Sequence, residues 1–305
     1  MDEGRIFQPE PFPVWESLGT AVGPEMVVDE ILTAAGLNWN VAKLPLYTDV
    51  GPVDGNYAIV REGTRRIFGF VSEIYTPAQN ADVIKFFSDI TRSCGVKIDH
   101  VGHERGGEKI WATAKLPFKV TVGDHDDVDS YLVLRTSHSG YYAISIGLTT
   151  IRVMCANMLA LAFSTAELTW SFRHLREFDV DAQAEAAKIF EAAEKRMRQF
   201  EEEARRLADK SLTPGQAHKL IISWVGNPGE DEQPARVGKM LDLHARQGGG
   251  TAWGLLNAVT EFIDHHNTAG QQTMSPRMLR SAMSGKGADL KRRVLKDLLE
   301  WPIAA

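Results

Sequence analysis

The spacing of apolar positions divides the chain near residue 165. Upstream, short apolar runs alternate with polar residues at a period of two and are separated by turn residues, the pattern of half-buried strands. In the run 39–47, Trp39, Val41, Pro45 and Tyr47 share a face with Lys43. Pro45 marks that strand as an edge, because proline cannot donate to a sheet ladder. Segments 56–61 and 65–72 flank a short glycine-containing connection and predict a hairpin. Further strands are expected at 97–103, 109–115, 118–122, 130–136 and 141–147, with turns at ERGGE and SHSG. The segment DHDDVD reads as a charged loop. A helical period recurs in three places. One segment opens at Thr76-Pro77, carries Ala81, Val83, Ile84, Phe87 and Ile90, and closes at Gly95. A shorter one runs from Pro24 to Ala35. The third is expected to begin near Ile151 behind a Thr150 cap.

Downstream the texture changes. Residues 179–209 contain no glycine or proline, and Ile189, Phe190, Ala193, Met197, Phe200, Ala204 and Leu207 recur at spacings of three and four. This predicts one long helix with a seam that packs on the sheet region or on another subunit. Further helices are expected at 213–225, 235–246, 252–265, 276–283 and 288–299. Clustered strands with few crossover helices predict an α+β fold, built on a mainly antiparallel sheet with packed helices and followed by an all-helical C-terminal region. The organisation read from this is an N-terminal arm and helix at 1–37, an α+β core at 38–165 and a helical region at 166–305.

Composition narrows the function classes. The 305 residues carry a net charge of −6, with 44% hydrophobic and 24% charged residues, ordinary globular usage. Residues 1–180 hold 16 Lys and Arg against 23 Asp and Glu, and the remainder 18 against 17. A generally basic nucleic-acid binder is excluded, whereas a local basic groove is not. The longest apolar stretch, 151–163, is interrupted by Arg152 and Asn157 and falls short of a membrane span. The acidic, proline-rich N-terminus does not read as a signal peptide, so a cytoplasmic protein is expected. Cys94 and Cys155 form no CxxC pair and read as reduced thiols.

No catalytic constellation stands out. The chain has no GxxxxGK[ST] loop, GxSxG elbow or HExxH helix, and the aspartates at 124–129 lack the glycine and glutamate of a calcium loop. No catalytic residue, metal or cofactor is therefore assigned. What remains is an interleaving of basic and aromatic residues in the strand region, where aromatics stack bases and cations hold phosphates. It comprises Arg61, Arg65 and Arg66 beside Phe68 and Phe70; Lys109 and Lys115 around Trp111; and Arg135 beside Tyr141 and Tyr142. Lys286, Lys291, Arg292, Arg293 and Lys296 form a second basic cluster. Arg152 lies at an apolar junction and needs a partner, either a structural one or a bound phosphate.

Three motifs carry a family resemblance. They are GGEKIWATAKLP at 106–117, YLVLRTSHSGYYAISIGLTTIRVMCANMLALA at 131–162 and GTAWGLLNAVTEFIDHH at 250–266. In this order they resemble the phage- and plasmid-associated family built on domain of unknown function 932. Ser139 stands where that family has an aspartate, and Thr150 where it has a proline. The resemblance implies a mobile-element setting. Through a distant similarity to phage recombination proteins of the single-strand annealing type, it also implies a curved sheet with a helix behind it, homo-oligomeric assembly and ATP-independent annealing of single-stranded DNA in a positive groove. The expected nucleic-acid-binding residues are then Arg61, Arg65, Arg66, Lys109, Trp111, Lys115, Arg135 and Arg152, acting in the host cytoplasm if the protein is phage-encoded. The alternative is an oligomeric structural or host-interaction protein that binds no DNA.

Overall fold

The structure, a computed structural model, describes residues 19–123, 126–141, 143–152, 169–172, 182–226, 233–246, 249–263 and 286–302. Among them, strands β1 (Thr20–Ala21), β2 (Val41–Thr48), β3 (Gly51–Arg61), β4 (Ile67–Ser72), β5 (His100–Glu104), β6 (Lys109–Val122), β7 (Asp126–Ser137), β8 (Ile144–Arg152) and β9 (Thr169–Phe172) build two sheets. The larger has the order β1-β5-β6-β7-β8-β9 and the smaller the order β2-β3-β4. Every pairing is antiparallel. Helices α1 (Val28–Ala34) and α2 (Asn80–Ser93) lie among the strands, and α3 (Ala182–Asp209), α4 (Pro214–Val225), α5 (Gln233–Arg246), α6 (Ala252–Glu261) and α7 (Lys286–Glu300) follow them. The fold is α+β, as the strand and helix periods predict.

Alternation along the central strands sets the layers. Ile110, Ala112, Ala114 and Leu116 of β6, Leu132 and Leu134 of β7, and Ile144, Ile146 and Leu148 of β8 share one face of the large sheet. That face packs against Ile84, Phe87 and Ile90 of α2 and against Ala186, Ile189 and Ala193 of α3. Burying each large apolar side chain contributes roughly 1.5–3 kcal/mol. A second core joins Val120, Val122 and Val128 at the far end of β6 and β7 to Met197, Phe200, Ala204 and Leu207 of α3 and to α4–α7. Residues 252–260 of α6 are all buried, so this helix is the axis of the second core. A third, small core, Val41, Ile59, Phe68 and Val71, lies under the β2-β3-β4 sheet.

Several boundaries differ from the sequence expectation. The segment at 126–129 is the start of β7 and not a loop: Val128 is buried opposite Val120, and ion pairs reach diagonally across the ladder, Lys115 with Asp129 and Lys119 with Asp127, each at 2.5 Å. Strand β6 runs on through a register shift between Lys115 and Lys119, the stretch that holds Pro117, so 118–122 is not a separate strand. Strand β8 continues to Arg152 where a helix start was expected, and residues 153–168 lie outside the described set. The helix expected at 276–283 and the N-terminal arm at 1–18 also lie outside it. Helix α2 starts at Asn80, not at Thr76-Pro77. Gln79 precedes it and clamps the backbone of Val41, accepting from its N–H at 2.9 Å and donating to its carbonyl at 3.1 Å.

Candidate nucleic-acid interface

The small sheet is docked on the turn end of the large one. Its inner face meets two turns there, β5–β6 with the sequence RGG at 105–107 and β7–β8 with SHSG at 137–140. His138 is the joint. Its backbone N–H donates to the Glu108 carbonyl at 2.8 Å, which ties the two turns together. Its ring is only 1% exposed, stacked on Phe68 at 5.7 Å between centroids and tilted against Trp39 at 5.6 Å. The Asn80 amide nitrogen donates to the carbonyls of Leu37 and Trp39, at 2.9 and 3.0 Å. That orientation turns the Asn80 amide oxygen toward the imidazole, so His138 Nε2, at 2.8 Å, is the donor. Strand β4 approaches so closely that a Cβ on Gly69 would sit 2.7 Å from Ser139 Cα. Tyr75 donates from its hydroxyl to the Ser137 carbonyl at 3.4 Å, and burial pushes its phenol up to about 12.

The same junction gathers arginines. Arg61, the last residue of β3, donates from Nη1 to the Gly106 carbonyl at 3.0 Å, and its guanidinium lies 4.3 Å from the Trp39 ring centroid. Its Nε is buried without a hydrogen-bond partner. Arg66 reaches the same turn: a Cβ on Gly106 would lie 2.4 Å from Arg66 Nη1. Arg65 occupies the β3–β4 turn at φ 55° and Arg105 the β5–β6 turn at φ 52°. Among the described residues these are the only non-glycine positions with positive φ. The left-handed conformation costs an ordinary L-residue about 1–2 kcal/mol. Partial burial first, and then the charge of Arg61, hold the pKa of nearby His103 below the ordinary 6.5.

A family model described as Domain of unknown function (DUF932) matches residues 67–292, more than half of the chain. The chain belongs to the DUF932 family. No curated protein and no solved structure matches it. The DUF932 match begins at the first residue of β4 and ends inside α7. It therefore takes in the RGG and SHSG turns, His138 and Asn80, whereas Arg61, Arg65 and Arg66 precede it. The contact of Arg61 with Gly106 joins a segment outside the match to one inside it.

The residues singled out in the sequence fall into two groups. Lys109, Trp111 and Lys115 of β6 and Arg135 of β7 share the face of the large sheet opposite α2 and α3, with Trp111 paired to Arg135, Lys109 to Ser137 and Lys115 to Tyr131. Their exposure differs. Trp111 is 4% exposed, so its ring is packed away from solvent. Lys109 is 8% exposed and lies over the Tyr141 ring at 4.8 Å. Arg135 is half-buried, and exposed Lys115 is paired with Asp129. Arg152 ends β8 opposite Val128, and its side chain lies outside the described set. Arg61, Arg65 and Arg66 form the other group, on the small sheet, and Arg65 and Arg66 are exposed. The basic residues of α7 do not form one surface: Lys291 is buried, Arg292 pairs with Asp289, and Arg293 reaches Asp297 at 3.6 Å and the Ser223 carbonyl at 3.2 Å.

Sequence reasoning left Arg105, His138 and Asn80 out of the candidate set. Arg105 and His138 stand in turns that were recognised, so their signal was present but read as turn chemistry alone. Asn80 gave no signal, since one polar residue near a helix start is ordinary. Among the described residues, no group of three His, Cys, Asp or Glu is placed to hold a metal ion. None of the described helices is long and apolar enough to cross a membrane.

Proposed function

We propose that this protein binds the phosphate backbone of nucleic acid, single-stranded DNA foremost, through Arg61, Arg65, Arg66 and Arg105. One observation carries the reading: two facing turns each hold an arginine in the left-handed conformation that glycine or asparagine adopts at far lower cost. Local backbone strain at an exposed charged residue points to a functional demand on that side chain. Arg61 and Arg66 add two more guanidinium groups to the same junction, and such forks match phosphate oxygens well. With the resemblance to annealing proteins of phage, the reading extends to a homo-oligomer that aligns these sites and pairs complementary strands without nucleotide hydrolysis, in a mobile-element setting.

The test is fluorescence anisotropy of a labelled single strand across a salt series. Phosphate contacts release counter-ions, so affinity should fall steeply with salt. Combined Arg65→Ala and Arg66→Ala should weaken binding roughly tenfold or more and flatten the salt slope by about 1–2, with the melting temperature unchanged. Unchanged affinity and slope would refute the assignment. Light scattering after size exclusion, with and without the strand, measures the assembly.

A further inference from the structure

The small sheet has an outward face that is apolar and open along its flanking strands, although Ala58 and Val60 of the central strand are buried. Leu44, Ala58 and Phe70 are direct neighbours across β2, β3 and β4, and Ala42, Val60 and Ile67 form the next row toward the arginines. Direct cross-strand neighbours share a face. The register shift between Ile59 and Val60 sends Phe68 inward, so Phe70 and Ile67 both stay outside. Phe70 is 63% exposed, Ile67 54% and Leu44 38%. An aromatic ring with two aliphatic neighbours on a sheet, left open to water, is costly unless something covers it.

Charge decides what. Arg65 and Arg66 stand immediately before Ile67, at the edge of this face, Arg66 with its guanidinium turned to the Gly106 turn on the inner side. The opposite end carries Asp49 and Asp54 on the β2–β3 hairpin and Glu73 after β4. At the arginine end the acidic residues are Glu62 and Glu108, which pairs with Arg105 at 3.4 Å. An anionic backbone is attracted to the arginine end and repelled from the other, while the apolar rows beside it suit an uncharged flat group. A single strand offers both at once, phosphates on one side and bases on the other. A duplex hides its base faces.

We infer that the outward face of the β2-β3-β4 sheet, centred on Phe70 and Ile67, is a base-stacking platform that selects single strands over duplex. The inference rests on the arginine reading above: Arg65 and Arg66 hold phosphates while a base lies on Phe70. The strand crosses the sheet at its arginine end and does not run along the strands toward Asp49 and Asp54.

The experiment compares a labelled thymidine oligomer with a blunt duplex of equal length, using the full chain. Phe70→Ala should weaken binding of the oligomer roughly tenfold, as expected for loss of one stacked base. It should leave duplex binding and the salt slope as they were, because no phosphate contact is removed. Phe70→Tyr should restore binding. Phe70 is exposed, and an unchanged melting temperature confirms that the variant folds. Unchanged affinity of Phe70→Ala for the oligomer overturns the platform. If Arg65→Ala with Arg66→Ala still loses binding in that case, the arginine reading stands alone; if it does not, both readings fall. A shift of Phe70→Ala to a smaller species in light scattering, with oligomer affinity intact, would make this face a contact between copies of the chain and also overturn the inference.

Discussion

Asn80 is the residue on which the junction turns. Its amide gives two hydrogen bonds to carbonyls of the segment before β2 and receives one from the buried His138. Truncation to alanine would take the Asn80 bond from the Trp39 carbonyl and from the His138 imidazole N–H, in a site closed by Trp39 and Phe68, while the Leu37 carbonyl keeps the Trp39 N–H at 2.8 Å. Buried polar groups deprived of partners cost about 1–3 kcal/mol each, so Asn80→Ala should destabilise the protein by roughly 2–4 kcal/mol in urea unfolding. A loss below about 0.5 kcal/mol, the scale of an ordinary surface substitution, would show that this pairing carries little of the junction's stability. Neither Asn80 nor His138 was legible as a pair. They are 58 positions apart, and the chain pattern around each is that of a helix start and a turn.

At the scale of elements, the helix ends show how a neighbour replaces a local cap. Helix α4 closes its own N-terminus: Thr213 accepts from Gln216 N–H at 3.3 Å while Gln216 Oε1 accepts from Thr213 N–H at 2.8 Å. The sequence predicts the helix start at residue 213, and the box is a finding of the structure. Helix α7 is capped from outside. Lys210, just beyond α3 and 5% exposed, donates to the carbonyls of Leu298, Leu299 and Trp301 at 2.9, 2.7 and 2.9 Å. An ammonium there satisfies orphan carbonyls and opposes the negative end of the helix dipole. Lys210→Met keeps the apolar stem and removes the cap. It should lower stability by roughly 2–3 kcal/mol and speed amide exchange in the last turn of α7. Unaltered exchange there would argue that Lys210 is a bystander. Nothing near α7 in the sequence announces this contact, 88 residues away.

For the whole molecule, α3 matters most. Its 28 residues extend about 42 Å. Ala186, Ile189 and Ala193 of its seam belong to the sheet core, and Met197, Phe200, Ala204 and Leu207 to the helical core. Strand β6 is shared in the same way. Elements common to two cores should make the two regions melt together. Phe200→Ala, which empties a site touching Trp253, should destabilise by about 3–5 kcal/mol. It should also speed amide exchange in the centre of β6 and β7, on the sheet side. A calorimetric trace with two separate transitions, only one shifted by Phe200→Ala, would instead mean that the cores are independent.

The sequence by itself determined the periods, and through them the α+β class, the long helix, the hairpin turns and the edge position of β2. These follow from interactions within a few residues, where the side-chain period reports which face is buried. It also supplied the resemblance to the DUF932 family, whose model matches residues 67–292. Only the tertiary structure decided that Trp111 and Lys109 are buried while Arg65, Arg66 and Phe70 are open, since exposure depends on what distant segments pack overhead. It alone brought Arg61 to Gly106, 45 residues away, because a side chain carries no record of which remote carbonyl it will meet.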